Sequence, residues 1–185
     1  MDRIFERNES WPASVEMSLE NLSQGEISAL DPMPGRIEVT GLFEDILKSG
    51  SDLRVRVTGR SMSPFLQGGE VLTIRKVPLA SLRRGDLIFF KDSRGYPVLH
   101  RLIRKKHSNS KFIFQTKGDA LVGFDEPVLH EDVLGKAFKI EKNSAGCAKE
   151  INLESLLWKK INHLAAMSSL IKSKARFAVL KLLGR

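Results

Sequence analysis

The hydrophobic pattern of the chain changes character twice. Between residues 53 and 140 the apolar positions come in short runs. Leu53, Val55 and Val57 alternate with Arg54, Arg56 and Thr58, and further runs cover residues 71–74, 87–90, 96–103, 112–116 and 134–140. Strict alternation predicts a half-buried strand, and a short continuous run such as Leu87-Ile88-Phe89-Phe90 predicts a strand buried on both faces. Turn signals separate the runs: Gly59 and Pro64, Gly68-Gly69, Arg84-Gly85-Asp86, Asp92-Ser93-Arg94-Gly95 and His107-Ser108-Asn109-Ser110. Many short strands at regular spacing indicate a compact β-rich domain.

Helical spacing appears on either side. Ahead of the strands, Leu42, Phe43, Ile46 and Leu47 make one apolar face, with Thr40 placed as a cap and Gly50 as a stop. Behind them, Leu153, Leu156, Leu157, Ile161 and Leu164 recur at helical intervals, and a second helical piece is expected from Leu170 to Leu183. The chain therefore divides into an N-terminal arm with short helices (1–52), a β-rich domain (53–142) and a basic amphipathic helical tail (150–185). Within the arm, residues 18–22 are compatible with helix, and Asp31-Pro32-Met33-Pro34-Gly35 is a break. There is no internal repeat.

A chain of 185 residues can hold one good core and an appendage. The single cysteine, Cys147, excludes an intramolecular disulfide, and its small polar neighbours predict a surface loop. The N-terminus develops no long apolar run, and nowhere are there the roughly 18 apolar residues that a membrane span requires. A cytoplasmic location is expected on these grounds. The net charge of +8 is unevenly spread: the first fifty residues are acidic, and from Leu153 onward Glu154 is the one acid against a series of lysines and arginines. Such a tail either packs on the β domain with a solvated basic face, or lies on an anionic membrane surface with its apolar face down. The second arrangement would make the protein peripheral to the inner face of a membrane. No nucleic-acid partner, metal or cofactor is expected.

The candidate chemistry sits just past the first strand. Ser61 follows a strand end, beside Gly59, a position suited equally to a nucleophile and to an ordinary turn serine. A hydroxyl becomes a useful nucleophile only when a neighbouring base takes its proton. Of the four histidines, His107 lies in a polar turn, His163 on the C-terminal helix and His130 in a charged loop. His100 lies within an apolar strand between Leu99 and Leu102, where burying an imidazole is costly unless both nitrogens find partners. A carboxylate to hold that ring is available from Asp119, at the end of the next strand, or from Asp125 in the loop beyond.

Four blocks carry a family resemblance. Gly59-Arg60-Ser61-Met62-Ser63-Pro64, Gly85-Asp86-Leu87-Ile88-Phe89-Phe90, Leu99-His100-Arg101-Leu102 and Thr116-Lys117-Gly118-Asp119 occur in the order and spacing of type I signal peptidases. The resemblance covers about residues 53 to 140. It is closest to the branch of the endoplasmic reticulum, archaea and some spore-forming bacteria, which uses histidine where most bacterial enzymes and LexA-type repressors use lysine. It implies a mainly β, LexA/signal-peptidase-like peptidase fold and serine endopeptidase activity on a leader or precursor peptide, bound as an extended strand and cut after small residues. Carried over by position, Ser61 is the nucleophile, His100 the general base and Asp125 the third member. Asp119 matches a neighbouring aspartate paired with Arg101, and stands as the alternative acid.

The Ser61 backbone N–H would serve the oxyanion, with Met62 in the substrate wall. Many relatives carry a hydroxyl two residues before the nucleophile; here that residue is Gly59, leaving Thr58 or a backbone donor to substitute. Ala120-Leu121 replaces the asparagines usual in the histidine branch. Two other readings share the motifs. A LexA-like self-cleaving regulator predicts a cut in the acidic arm before residue 53. A non-catalytic peptide-binding module predicts Ser61 and His100 out of reach of each other.

Overall fold

The computed structural model describes residues 15–17, 34–108, 111–144 and 147–182. Its first long element, α1 (Pro34–Lys48), turns Phe43 and Leu47 into the core, where both are almost completely buried. Proline suits a first helical position, because the N–H it lacks would have no partner there. The helix therefore starts at Pro34, earlier than the pattern suggests. Thr40 does not cap it; it lies inside the helix and is buried. Gly50, at φ 87°, stands just beyond the end. The helix-compatible stretch 18–22 lies outside the described residues, but three residues of the arm form a strand, β1 (Val15–Met17).

The rest is a nine-stranded sheet among the described residues: β1, β2 (Leu53–Arg56), β3 (Val71–Arg75), β4 (Leu87–Lys91), β5 (Pro97–Ser108), β6 (Lys111–Lys117), β7 (Val128–Leu129), β8 (Val133–Ser144) and β9 (Cys147–Asn152). The order is β1-β2-β3-β8-β4-β5-β6-β7, with β9 on β8. Every pairing is antiparallel except β1 with β2, which is parallel. In β2 the alternation translates directly: Leu53 and Val55 are buried, Arg54 and Arg56 half-buried. In β4 both faces are covered. Leu87 and Phe89 join a cluster with Phe43, Leu53, Ile74 and Leu134, while Ile88 and Phe90 join another with Leu82, Leu102 and Phe114. The sheet thus separates two apolar cores, and the mainly β fold is the one the pattern implies.

Three further elements differ from the sequence reading. Cys147 opens strand β9 rather than sitting in a loop, so the sheet continues to Asn152. The tail is one helix, α2 (Leu156–Leu182), not two pieces, and it begins after Leu153, which is buried beneath the sheet. The β5 strand runs on through His107 to Ser108 where a turn was expected, and His107 packs against Phe112 in a tilted arrangement with centroids 4.6 Å apart. For β5 and β9, cross-strand pairing outweighs local turn preference, as sheet context commonly does.

The packing face of α2 is also unexpected. Leu156, Leu157 and Leu164 are 81%, 66% and 67% exposed, whereas Asn162, Ala166 and Ser169 are buried against the β domain. The face that docks pairs Trp158, packed on the core and edge-on to Phe65, with the small or polar Asn162, Ala166 and Ser169, which lie over buried charge from β5 and β6. Arg101 donates to the Asn162 side-chain oxygen at 2.9 Å, and the Lys117 ammonium donates to the Ser169 hydroxyl at 2.6 Å.

Candidate active site

Two loops and one strand converge on the site. Ser61 lies in the turn after β2, half-buried, with Met62 directly behind it buried in the core. His100 is the fourth residue of β5, paired with Ile88 of β4. Asp125 lies between β6 and β7. Its loop is folded back on β6, since the Asp125 N–H donates to the Thr116 carbonyl at 3.0 Å and the Gln115 amide donates to the Asp125 carbonyl at 2.6 Å.

The side chains form a continuous hydrogen-bonded chain. His100 Nδ1 is 2.8 Å from Asp125 Oδ2, and His100 Nε2 is 3.0 Å from Ser61 Oγ. Asp125 Oδ2 also accepts the Thr116 hydroxyl at 2.6 Å. Burial by itself would push the Asp125 carboxyl up, but the hydrogen bonds from His100 and Thr116 outweigh it and hold its pKa below the ordinary carboxylate value. Asp125 is therefore ionised at neutral pH and can only accept, which assigns the proton to Nδ1. Nε2 is left with its lone pair facing the serine hydroxyl. This is the arrangement in which an imidazole can remove the serine proton. Ser61 and His100 stand 39 residues apart in the chain and within hydrogen-bond reach in space, against the separation that a non-catalytic module predicts.

Asp119 is placed elsewhere. Adjacent residues of a strand point to opposite faces, so as His100 meets Ser61 and Asp125, Arg101 turns away to Asp119. The guanidinium grips the carboxylate with two bonds, Nε to Oδ1 at 2.8 Å and Nη2 to Oδ2 at 2.7 Å. Its remaining nitrogen donates to the Gly85 carbonyl at 3.0 Å and to Asn162, and the Phe65 ring lies 4.8 Å from its centre. Arg101 is completely buried. Of the two candidate acids, Asp125 lies on the imidazole and Asp119 on the arginine.

The nucleophile turn is held from the same side. The Ser61 carbonyl accepts the Ala120 N–H at 2.9 Å, and a side chain at Gly118 would come within 2.7 Å of that carbonyl. Gly118 therefore lets the β6–β7 connection lie against the backbone of Ser61. The Ser61 N–H has no hydrogen-bond partner among the described residues and faces no competition for an oxyanion. Thr58 and Gly59 are exposed, and a Cβ at Gly59 would meet nothing within 4 Å.

A cavity of about 300 Å³ opens at Ser61. It is lined by Val57, Met62, Leu72, Phe89 and Leu99 among others, with His100 at its rim. A second, of about 770 Å³, lies on the Asp125 side between Phe90, Val98, Glu126 and Leu129. The other histidines take no part: His130 is 3.8 Å from Glu131, and His163 is exposed on α2.

Two contributors were not apparent from the sequence. Thr116 was visible only as part of a motif, although alternation from buried Phe114 places it on an inward face where a hydroxyl needs a partner. Asn162 lies in a helix whose apolar spacing marks the opposite side as the packing face.

No family model matches the chain. Over 75 residues, 40% of its length, it is 33% identical to the signal peptidase complex catalytic subunit SEC11 of Candida tropicalis. Part of this chain is similar to a signal peptidase. The SEC11 proteins of two strains of Candida albicans, WO-1 and SC5314, are each 32% identical over 75 residues. The chain spans less than half the length of these relatives, 44% in each case.

Proposed function

We propose that this chain is a serine endopeptidase of the signal peptidase type, cutting a leader or precursor peptide after a small residue. The observation that carries the reading is the Ser61–His100–Asp125 chain, with links of 3.0 and 2.8 Å. Ser61 Oγ attacks the scissile carbonyl while His100 Nε2 takes its proton. Asp125 holds the ring in the required tautomer and stabilises the imidazolium. The Ser61 N–H receives the developing oxyanion, as preorganised donors do at such centres. The amine leaves with the proton from His100, and water repeats the sequence on the acyl-enzyme.

Substrate binding follows from the surroundings. The 300 Å³ apolar cavity beside Ser61 takes the side chain before the cut. The strand leading to the nucleophile accepts an extended partner: β1 already lies parallel along β2, with Val15 opposite Leu53 and Met17 opposite Val55. Such edge pairing binds backbone while leaving selectivity to pockets. That same pairing favours a second reading, in which the arm itself is cut.

Both are tested together. Ser61→Ala and His100→Ala are expected to abolish the new N-termini that appear in cells expressing the protein, with the thermal midpoint preserved. Cleavage persisting in either variant refutes the mechanism. Intact masses of the wild type and Ser61→Ala after prolonged incubation separate the readings, because loss of an arm fragment from the wild type alone marks self-cleavage.

A further inference from the structure

The outward face of α2 has no role in the site. Residues on a helix advance about 100° each, so Asn162, Ala166 and Ser169 share the docked side, and Leu157, Leu164, Met167 and Ile171 fall opposite. All four are exposed. With Leu156 they form an apolar line about 22 Å long at 1.5 Å per residue, more than a scatter of single surface residues.

Beside this line lies a cavity of about 980 Å³ between α2 and the β3–β4 connection. Val77, Phe138, Leu156 and Leu164 supply apolar walls, and the rest is strongly basic. Its acids are already neutralised: Lys136 contacts Asp86 and Glu154 at 3.1 and 2.6 Å, and Lys159 contacts Glu154 at 2.9 Å. Arg83 and Lys160 have no ion-pair partner among the described residues. Arg84 is held at the margin of the line, donating to the Ile103 carbonyl at 2.9 Å and lying 3.3 Å from the Met167 sulfur.

We propose that this face binds an anionic phospholipid bilayer. The apolar line of α2 enters the acyl boundary, and Arg83, Arg84 and Lys160 meet the headgroup phosphates. A ridge of exposed apolar residues with unpaired cations on and beside it is the composition that seats a helix in a membrane interface. A second copy of the chain is disfavoured by the same charge, which would be brought against itself. The assignment is independent of the peptidase reading, since none of these residues touches Ser61, His100 or Asp125.

The test is co-sedimentation of the full chain with vesicles of phosphatidylcholine, alone or mixed with phosphatidylglycerol. Binding is expected to the mixed vesicles, to weaken with added salt, and to be weak on phosphatidylcholine alone. Arg83→Gln with Lys160→Gln should lower the affinity about thirtyfold, at about 1 kcal/mol for each cation. Leu164→Ser with Ile171→Ser should lower it by about a hundredfold or more. Thermal unfolding checks that both variants retain the wild-type midpoint, and separate single substitutions replace any pair that does not. Failure to sediment with anionic vesicles, equal binding to both compositions, or unchanged binding by the variants overturns the proposal. So does a stable dimer in light scattering that Leu164→Ser disrupts, which would assign the face to a second copy.

Discussion

Replacing Arg101 with methionine is the sharpest test of how the site is supported. The substitution keeps much of the side chain's apolar volume and removes five N–H donors. Asp119, whose side chain is 11% exposed, then loses both of its short bonds. The Gly85 carbonyl and the Asn162 side-chain oxygen lose theirs as well. Breaking a buried pair by removing one partner costs about 3–5 kcal/mol, chiefly because the remaining charge is stranded. For a domain of this size each kcal/mol is worth about 2–4 °C, so the midpoint should fall by roughly 6–20 °C. Adding Asp119→Leu removes the stranded charge and leaves two unpaired acceptors, at about 1–3 kcal/mol each at most. The double variant should therefore be more stable than Arg101→Met alone by about 2 kcal/mol. Urea unfolding at neutral pH of the wild type, both single variants and the double gives the coupling energy directly. A loss below about 1 kcal/mol for Arg101→Met, or a double variant no better than the single, would show that the buried guanidinium does not tie β5, the β6–β7 connection and α2 together.

Asp125→Asn should cut kcat by about three to four orders of magnitude, because an amide that donates to Nδ1 leaves Nε2 protonated and unable to accept from Ser61; near-normal turnover would mean Asp125 does not set the tautomer. The same carboxyl gives a pH signature. Its folded pKa lies below the unfolded value of about 3.9, so its contribution is complete above that value and disappears as pH falls through the depressed folded pKa. Urea unfolding of the wild type and Asp125→Asn should differ at neutral pH and converge only in that acid range; convergence well above pH ~4 contradicts the assignment. Gly118→Ala places a methyl 2.7 Å from the Ser61 carbonyl, and should depress kcat by displacing the nucleophile turn, with unchanged kcat showing that the turn is positioned otherwise. Gly59→Ser meets open space, and should preserve stability and raise kcat with KM unchanged if the added hydroxyl reaches the oxyanion.

The legible part of this chain was the part governed by local pattern. Alternation at Leu53–Val57 and the continuous run at Leu87–Phe90 gave strands because a pleated backbone sends successive side chains to opposite faces. The motif order gave Ser61 and His100 as partners. Less legible was everything set by which element lies beside which. Cys147 reads as a loop residue until β8 offers a strand to pair with. Leu156 and Leu164 read as a packing face until the surface beneath the tail proves to be Arg101 and Lys117.

What the sequence by itself determined was the period of each segment, the position of its breaks, and the candidacy of Ser61, of His100 and of two eligible aspartates. Those properties depend on a residue and its near neighbours. Only the tertiary structure shows Asp125 on the imidazole and Asp119 on the arginine, because the direction each carboxylate faces is set by how the β6–β7 connection folds back on Thr116 and Arg101. Only it decided that α2 docks by Asn162 and Ser169 and turns its leucines outward. A helix carries its apolar face whatever surrounds it, but the side it buries is chosen by the groups that most need covering, and here those were two buried cations.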